Sequence, residues 1–152
     1  GHGGHAEAGL EPAKKFLQTL TSPTRFTERV GEGVELHMRH LSVESDRSIR
    51  RLMADMKHIT MQELACIVMA DQSGRHPFGL PVLQMPETMQ HILDVAKEGK
   101  FEPILKGRHL VAIGLKPSPK FSEILGRAKE LQINGDIVDL ESAMSWLKEE
   151  LK

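Results

Sequence analysis

Twice in this chain a serine stands directly before a proline at the head of an amphipathic run, at Ser22-Pro23 and at Ser118-Pro119. Each pair is a helix-start signal. The serine hydroxyl can accept from the first free backbone N–H groups, and proline at the first helical position forgoes a donor that would have no partner there. Thr60-x-x-Glu63 forms a capping box. Ser45 or Asp46, and Asp139, supply further caps, and Asn134-Gly135 supplies a left-handed stop. Between these marks the apolar residues recur three and four apart and never alternate, so the chain is confined to helices.

The segments follow from that punctuation. Ala6 to Leu20 is expected to be helical, with Leu10, Ala13, Phe16, Leu17 and Leu20 at helical spacing. A second helix runs from Pro23 to about His40, carrying Phe26, Val30, Val34 and Met38 four apart. A short third helix turns Ile49, Leu52, Met53 and Met56 inward, and a strongly apolar fourth ends near Asp71. Ser73 to Met85 holds two Gly and two Pro and reads as a loop. Further helices are expected from Glu87 to about Gly99, from Pro119 to about Asn134, and from Asp139 to the end. The composition shifts near Gly99, where a short linker rich in Gly and Lys follows. The expectation is an all-α fold: residues 1–98 as one helical bundle, and 99–152 as a small helical tail.

With 152 residues the chain can bury a real core, but it has no Tyr and 4% aromatics, so aliphatics and eight Met must fill the interior. Cys66 stands alone, which excludes a disulfide framework and a cysteine zinc site, and its apolar surroundings predict burial. No apolar run is long enough to span a membrane and no signal peptide opens the chain, so a reducing cytoplasmic setting is the default. The abrupt start reads as that of a fragment.

Net charge is −1, yet the charge is uneven. Lys100 to Lys129 carries seven Lys and Arg against two Glu, whereas Glu130 to Lys152 carries six acidic residues against two Lys. A local basic stripe can bind a polyanion whatever the total charge; a solvated helix face is the equal alternative. Arg108, Lys116, Lys120 and Arg127 are the candidate phosphate contacts, and the helix start at Ser118 is a candidate phosphate seat. Arg47, Arg50 and Arg51 lie on one side of the third helix, where they either meet phosphate or pair with Glu44, Asp46 and Asp55. His5, His37 and Asp71 fall on or at the ends of successive helices, and in a bundle three such positions can converge on a divalent metal. For His37 alone, a structural role is the stronger alternative. His40, His58, His76, His91 and His109 read as surface or capping residues, and Trp146 as core or as a docking anchor for the last helix. There is no phosphate-binding Gly-rich loop, no GxSxG and no HExxH, and no catalytic residue is assigned.

The stretch GRHLVAIGLKPSPKFSEIL, followed by a helix, a Gly, an acidic residue and SAMSWL, resembles the closing element of bacterial tRNA nucleotidyltransferase and poly(A) polymerase family proteins. That element reads roughly G-x-D-L-I-x-x-G-L-K-P-G-P-x-F-G-x-I-L. This chain departs from it at His109, Ser118 and Ser122, where the family tends to have Asp, Gly and Gly. GHAEAG near the start, HMR at His37 and ADQSGR ending at Arg75 resemble later motifs of an HD domain, which would match His5, His37 and Asp71 to metal-site positions; the naming His-Asp pair is absent. The resemblance implies the second half of an HD-like bundle, incomplete at its N-terminus, plus a tail. The two together would be the non-catalytic body that holds RNA, above all tRNA. Nucleotide addition, with Mg and nucleoside triphosphates, would belong to an N-terminal head outside this chain. The alternatives are a remnant of an HD-type metal-dependent phosphohydrolase and a packing or homodimerisation module.

Overall fold

The computed structural model describes residues 4–20, 24–74, 85–96 and 100–152, the side chains of His5 and Ala6 excepted. It divides into two compact units, Gly1–Lys100 and Phe101–Lys152. Both are built of helices, and no strand occurs among the described residues, as the periodicity requires. No described helix is long and apolar enough to cross a membrane.

The first unit contains α1 (His5–Leu20), α2 (Thr24–Leu36), a 3-10 turn (Arg39–Ser42), α3 (Asp46–Asp55), α4 (Met61–Gly74) and α5 (Glu87–Ala96). Its core joins Leu36, Ile49, Leu52, Met61, Leu64, Val68, Met89 and Ile92, with Met53, Met56 and Met85 packed around it. Methionine's three soft torsions let it fill what the missing aromatics leave. The predicted caps are present. Ser48 N–H donates to Ser45 Oγ at 3.3 Å, and the Thr60 and Glu63 side chains each accept from the other's backbone N–H. α4 takes in Ser73 and Gly74 of the expected loop, and residues 75–84 of that loop, the start at Ser22-Pro23 and the C-terminal limit of the predicted 87–99 helix lie outside the described residues.

α2 departs from its expected form in two ways. It buries Gly31, Gly33 and Leu36, while Phe26 is 49% exposed. The two glycines point to different neighbours. A Cβ at Gly31 would meet Leu10 Cδ1 of α1 at 3.1 Å, and one at Gly33 would meet Ile67 Cδ1 of α4 at 2.4 Å. Small residues on both sides of α2 therefore let two helices approach its backbone. The helix also stops at Leu36 instead of His40. The His37 ring nitrogen Nδ1 bonds the Val34 carbonyl at 2.7 Å, and His40 Nδ1 bonds the His37 carbonyl at 2.6 Å. These rings take acceptors that a continuing helix would use, and the backbone tightens into the 3-10 turn.

Phe16 and Leu20 on α1 are 63% and 65% exposed and Leu17 is half-buried, so the helix leaves an apolar face at Phe16. Two other expectations are corrected. Cys66 is exposed. The buried residues of α4 are Met61, Leu64, Ala65 and Val68, a stripe that turns position 66 outward. His40 is buried rather than at the surface, and its ring serves the His37 carbonyl in the capping role that was its other reading.

The charged face of α2 holds the connection between α3 and α4. Glu32 accepts three backbone N–H groups there: Lys57 at 2.7 Å on Oε1, His58 at 2.7 Å and Ile59 at 2.8 Å on Oε2. Arg29 pairs with Glu63, and Glu28 lies 3.7 Å from the His58 ring.

The second unit contains α6 (Gly107–Ala112), α7 (Pro119–Asn134) and α8 (Leu140–Glu150) around Leu105, Leu110, Ile124, Ala128, Ile137, Ala143 and Leu147. α6 begins in what the sequence presents as a Gly- and Lys-rich linker and a bare apolar run. Its six residues are too few to show a period. Gly135 adopts φ 94° and ends α7, and Asp139 accepts from Ser142 N–H to begin α8.

Candidate nucleic-acid interface

Two candidate cations of the second unit, Lys116 and Lys120, flank a turn fixed from both ends. α6 closes in a Schellman motif. Gly114 N–H donates to the Val111 carbonyl at 2.9 Å, Leu115 N–H to the Leu110 carbonyl at 3.1 Å, and Gly114 takes φ 90°. Leu115 then packs on the core, which pins the chain as it leaves the helix. Lys116-Pro117-Ser118-Pro119-Lys120 follows. Each proline locks its own φ and drives the preceding residue toward extended backbone, and Ser118 adopts φ −159°, ψ 166°. Lys116 and Ser118 on this turn, and Lys120 in the first turn of α7, are all exposed.

Ser118 occupies the cap position of α7, but its hydroxyl makes no cap hydrogen bond. That expectation is corrected: its carbonyl accepts Phe121 N–H at 2.9 Å instead. Arg127 lies two turns beyond Lys120 on the same side of α7. Its guanidinium pairs with Glu150 and stands 5.9 Å over the Trp146 ring, so its charge is already engaged.

Arg108 is exposed on α6, beside His109. His109 has a capping role, as the sequence suggested. Its Nδ1 accepts Lys106 N–H at 3.1 Å, and Arg108 Nε lies 3.2 Å from its Nε2. A neutral imidazole has a single acceptor nitrogen, so the ring serves one donor at a time. Lys106 bonds Glu102 at 2.9 Å, and that ammonium holds the Glu102 carboxyl below its usual range, first through the hydrogen bond and then through its charge.

In the first unit Arg47 is exposed on α3, and Arg50 and Arg51 are half-buried. Asp55, an expected partner of this cluster, is held by Arg39 at 2.9 Å, and Asp46 lies 3.9 Å from His91 Nε2. The metal-site candidates are less convergent. His37 is 8% exposed with its Nδ1 committed to Val34, and Asp71 is half-buried on α4. The His5 side chain lies outside the described residues. Among the described residues, no three His, Cys, Asp or Glu side chains gather as a metal would need.

Sequence reasoning did not find a groove along α7 and α8. It is open, about 660 Å³ in volume, and lined by Ser122, Glu123, Gly126, Arg127, Glu130, Leu131 and Trp146. The α7 positions in it fall four apart in pairs, a signal that was present in the sequence but not distinguishable from an ordinary helix face.

No family model matches the chain. No solved structure matches it. Two curated relatives do. The chain is 26% identical over 145 residues to the CC-adding tRNA nucleotidyltransferase of Thermus thermophilus, a match that covers 95% of this chain and 32% of that protein. It is 31% identical over 80 residues to the A-adding tRNA nucleotidyltransferase of Halalkalibacterium halodurans, covering 51% of this chain and 19% of that protein. The chain thus spans a third or less of the length of these relatives, and the similarities support a relationship to tRNA nucleotidyltransferases.

Proposed function

We propose that this chain is the RNA-holding, non-catalytic part of a cytoplasmic tRNA nucleotidyltransferase-like protein. Residues 1–98 form the second half of an HD-like bundle and residues 99–152 the tail. tRNA is the partner, and a head domain outside this chain adds the nucleotides. The match to the CC-adding relative along 95% of the chain is the observation that carries the reading.

The turn from Lys116 to Lys120 supports a physical route to that role. A lysine grips phosphate as a point charge, without reading sequence, and its grip tightens when the backbone beneath it is already fixed. The Schellman stop and the two prolines fix it. Arg108 adds an exposed cation, and in the first unit Arg47 is the most accessible member of its cluster. Arg127 contributes by holding Trp146 and Glu150 in place more than by direct contact.

The test is titration of labelled tRNA at several salt concentrations. The paired substitutions Lys116→Ala and Lys120→Ala should weaken binding and reduce the slope of log affinity against log salt by about 1–2, the release expected for two phosphate contacts. An unchanged slope would remove this turn from the RNA interface.

A further inference from the structure

We infer that the α1–α2 hairpin binds unpaired RNA bases, stacking them on Phe16 and Phe26 while Lys15 and Arg25 hold the flanking phosphates. This contact rests on the reading of the chain as RNA-holding, and takes bases where Lys116 and Lys120 take only phosphate. Three residues separate α1 from α2, a connection that makes neighbouring helices antiparallel. The glycine contacts give the register. A Cβ at Gly9 would meet Val34 at 3.5 Å, and one at Gly31 would meet Leu10 at 3.1 Å and Lys14 at 3.3 Å. A step up α1 is therefore a step down α2. The same register sets Phe26 across from Leu17, within a turn of Phe16 and Leu20. Leu17 is half-buried, whereas Phe16, Leu20 and Phe26 are exposed. Single exposed apolar residues are ordinary, but large ones grouped within a turn mark a contact surface.

Charge and ring chemistry identify what meets this surface. From Lys14 to Phe26 the chain carries Lys14, Lys15 and Arg25 and no acidic residue. Lys14 lies 3.5 Å from Glu11, and Glu28, the next acid along α2, lies 3.7 Å from the His58 ring. Lys15 and Arg25 are exposed, and among the described residues their side chains make no ion pair or hydrogen bond. Each directly precedes a phenylalanine. Adjacent helical positions point about 100° apart, so each cation flanks its ring and leaves the face open. An unpaired base has a π-face to stack and a phosphate on either side, which is the complement of a ring beside a cation. Duplex bases are covered by their neighbours and cannot reach the rings. A docked protein helix anchors over two turns, longer than this apolar surface.

The test uses the whole chain and two labelled strands of equal charge, an unstructured RNA of about ten nucleotides and an abasic strand of the same length. Anisotropy titration should show the RNA binding at least about tenfold more tightly than the abasic strand. Phe16→Leu with Phe26→Leu keeps the apolar bulk and removes the rings, and it should abolish that difference. Circular dichroism of the double variant verifies its fold, and the abasic comparison needs no variant. Equal affinity for the two strands, or a base preference that survives the leucine substitutions, would overturn the inference. So would capture by phosphatidylglycerol vesicles that depends on the two rings while base preference is absent, which would assign the surface to lipid. A parallel tRNA titration separates the two readings: tRNA bound without any base preference for the short strand leaves the RNA-holding role standing and removes the hairpin from it.

Discussion

Replacing Glu32 by alanine should destabilise the first unit more than any other single change on its charged surface. The carboxylate accepts Lys57, His58 and Ile59 N–H at 2.7, 2.7 and 2.8 Å. Hydrogen bonds to a charged acceptor contribute about 1.5–3 kcal/mol each. They do not add fully here. The Lys57 amide belongs to an exposed residue and water can replace its partner, while Ile59 is 3% exposed. About 2–4 kcal/mol is the resulting loss, which for a unit of this size lowers Tm by about 10–20 °C. Glu32→Gln is the sharper probe. Its amide nitrogen cannot accept, so one carboxylate oxygen's donors lose their partner, and about half the destabilisation should appear. Thermal unfolding followed by circular dichroism measures both, with Glu35→Ala, an exposed position on the same helix, as reference. A Tm within about 2 °C of the parent for Glu32→Ala, or Gln serving as well as Glu, would refute the clasp as a stabilising element.

Three further outcomes are expected. Gly33→Ala places a methyl 2.4 Å from Ile67 Cδ1 and should cost about 1–3 kcal/mol, and Ile67→Val, which removes that atom, should recover most of the loss in the double variant's unfolding curve. Gly114→Ala meets no atom within 4 Å, so its cost of about 1–2 kcal/mol comes from the backbone at φ 90° alone, and it should also loosen the Lys116 turn and weaken tRNA binding. Asp139 is held below its ordinary carboxylate range, chiefly by the backbone N–H of Ser142 and then by that residue's hydroxyl. Its folded pKa is depressed, so its contribution is complete above the ordinary carboxylate value of 3.8 and fades as pH falls through the lowered folded value. Unfolding midpoints measured from about pH 6 down to about pH 2 should show that acid loss in the parent and a smaller one in Asp139→Asn.

What was legible in the sequence was local. Ser45, the Thr60–Glu63 box, Gly135 and Asp139 act on residues within one turn of themselves, and all four do in the structure what their chemistry predicts. The misread parts depend on distant partners. The burial of Gly31 and Gly33 reflects Leu10 and Ile67, and no periodicity of large apolar residues can announce a glycine seam. The end of α2 is decided by two histidine rings turning back on carbonyls three residues earlier, a competition that spacing does not encode. Glu32 looks like any solvated helix glutamate until the α3–α4 connection, 25 residues on, is folded against it. At the candidate interface the sequence placed Lys116 on the turn and Lys120 in the first turn of the following helix, and the structure has them there. The sequence did not foresee that Arg127 would be occupied by Glu150, or that Ser118 would cap with its carbonyl and not its hydroxyl.

The turn between α6 and α7 has a thermodynamic consequence. Fixing one residue's backbone costs about 1–2 kcal/mol, and a flexible loop that orders on a ligand meets that cost during binding. Between Gly114 and Pro119 the cost has been met during folding, by the Schellman stop and the proline rings. An anion arriving at Lys116 and Lys120 has only side-chain torsions left to order. Binding at this turn should therefore carry a small entropic penalty for its contact area, and calorimetry on a Pro117→Ala, Pro119→Ala variant should show that penalty grow while the enthalpy of the lysine contacts stays the same.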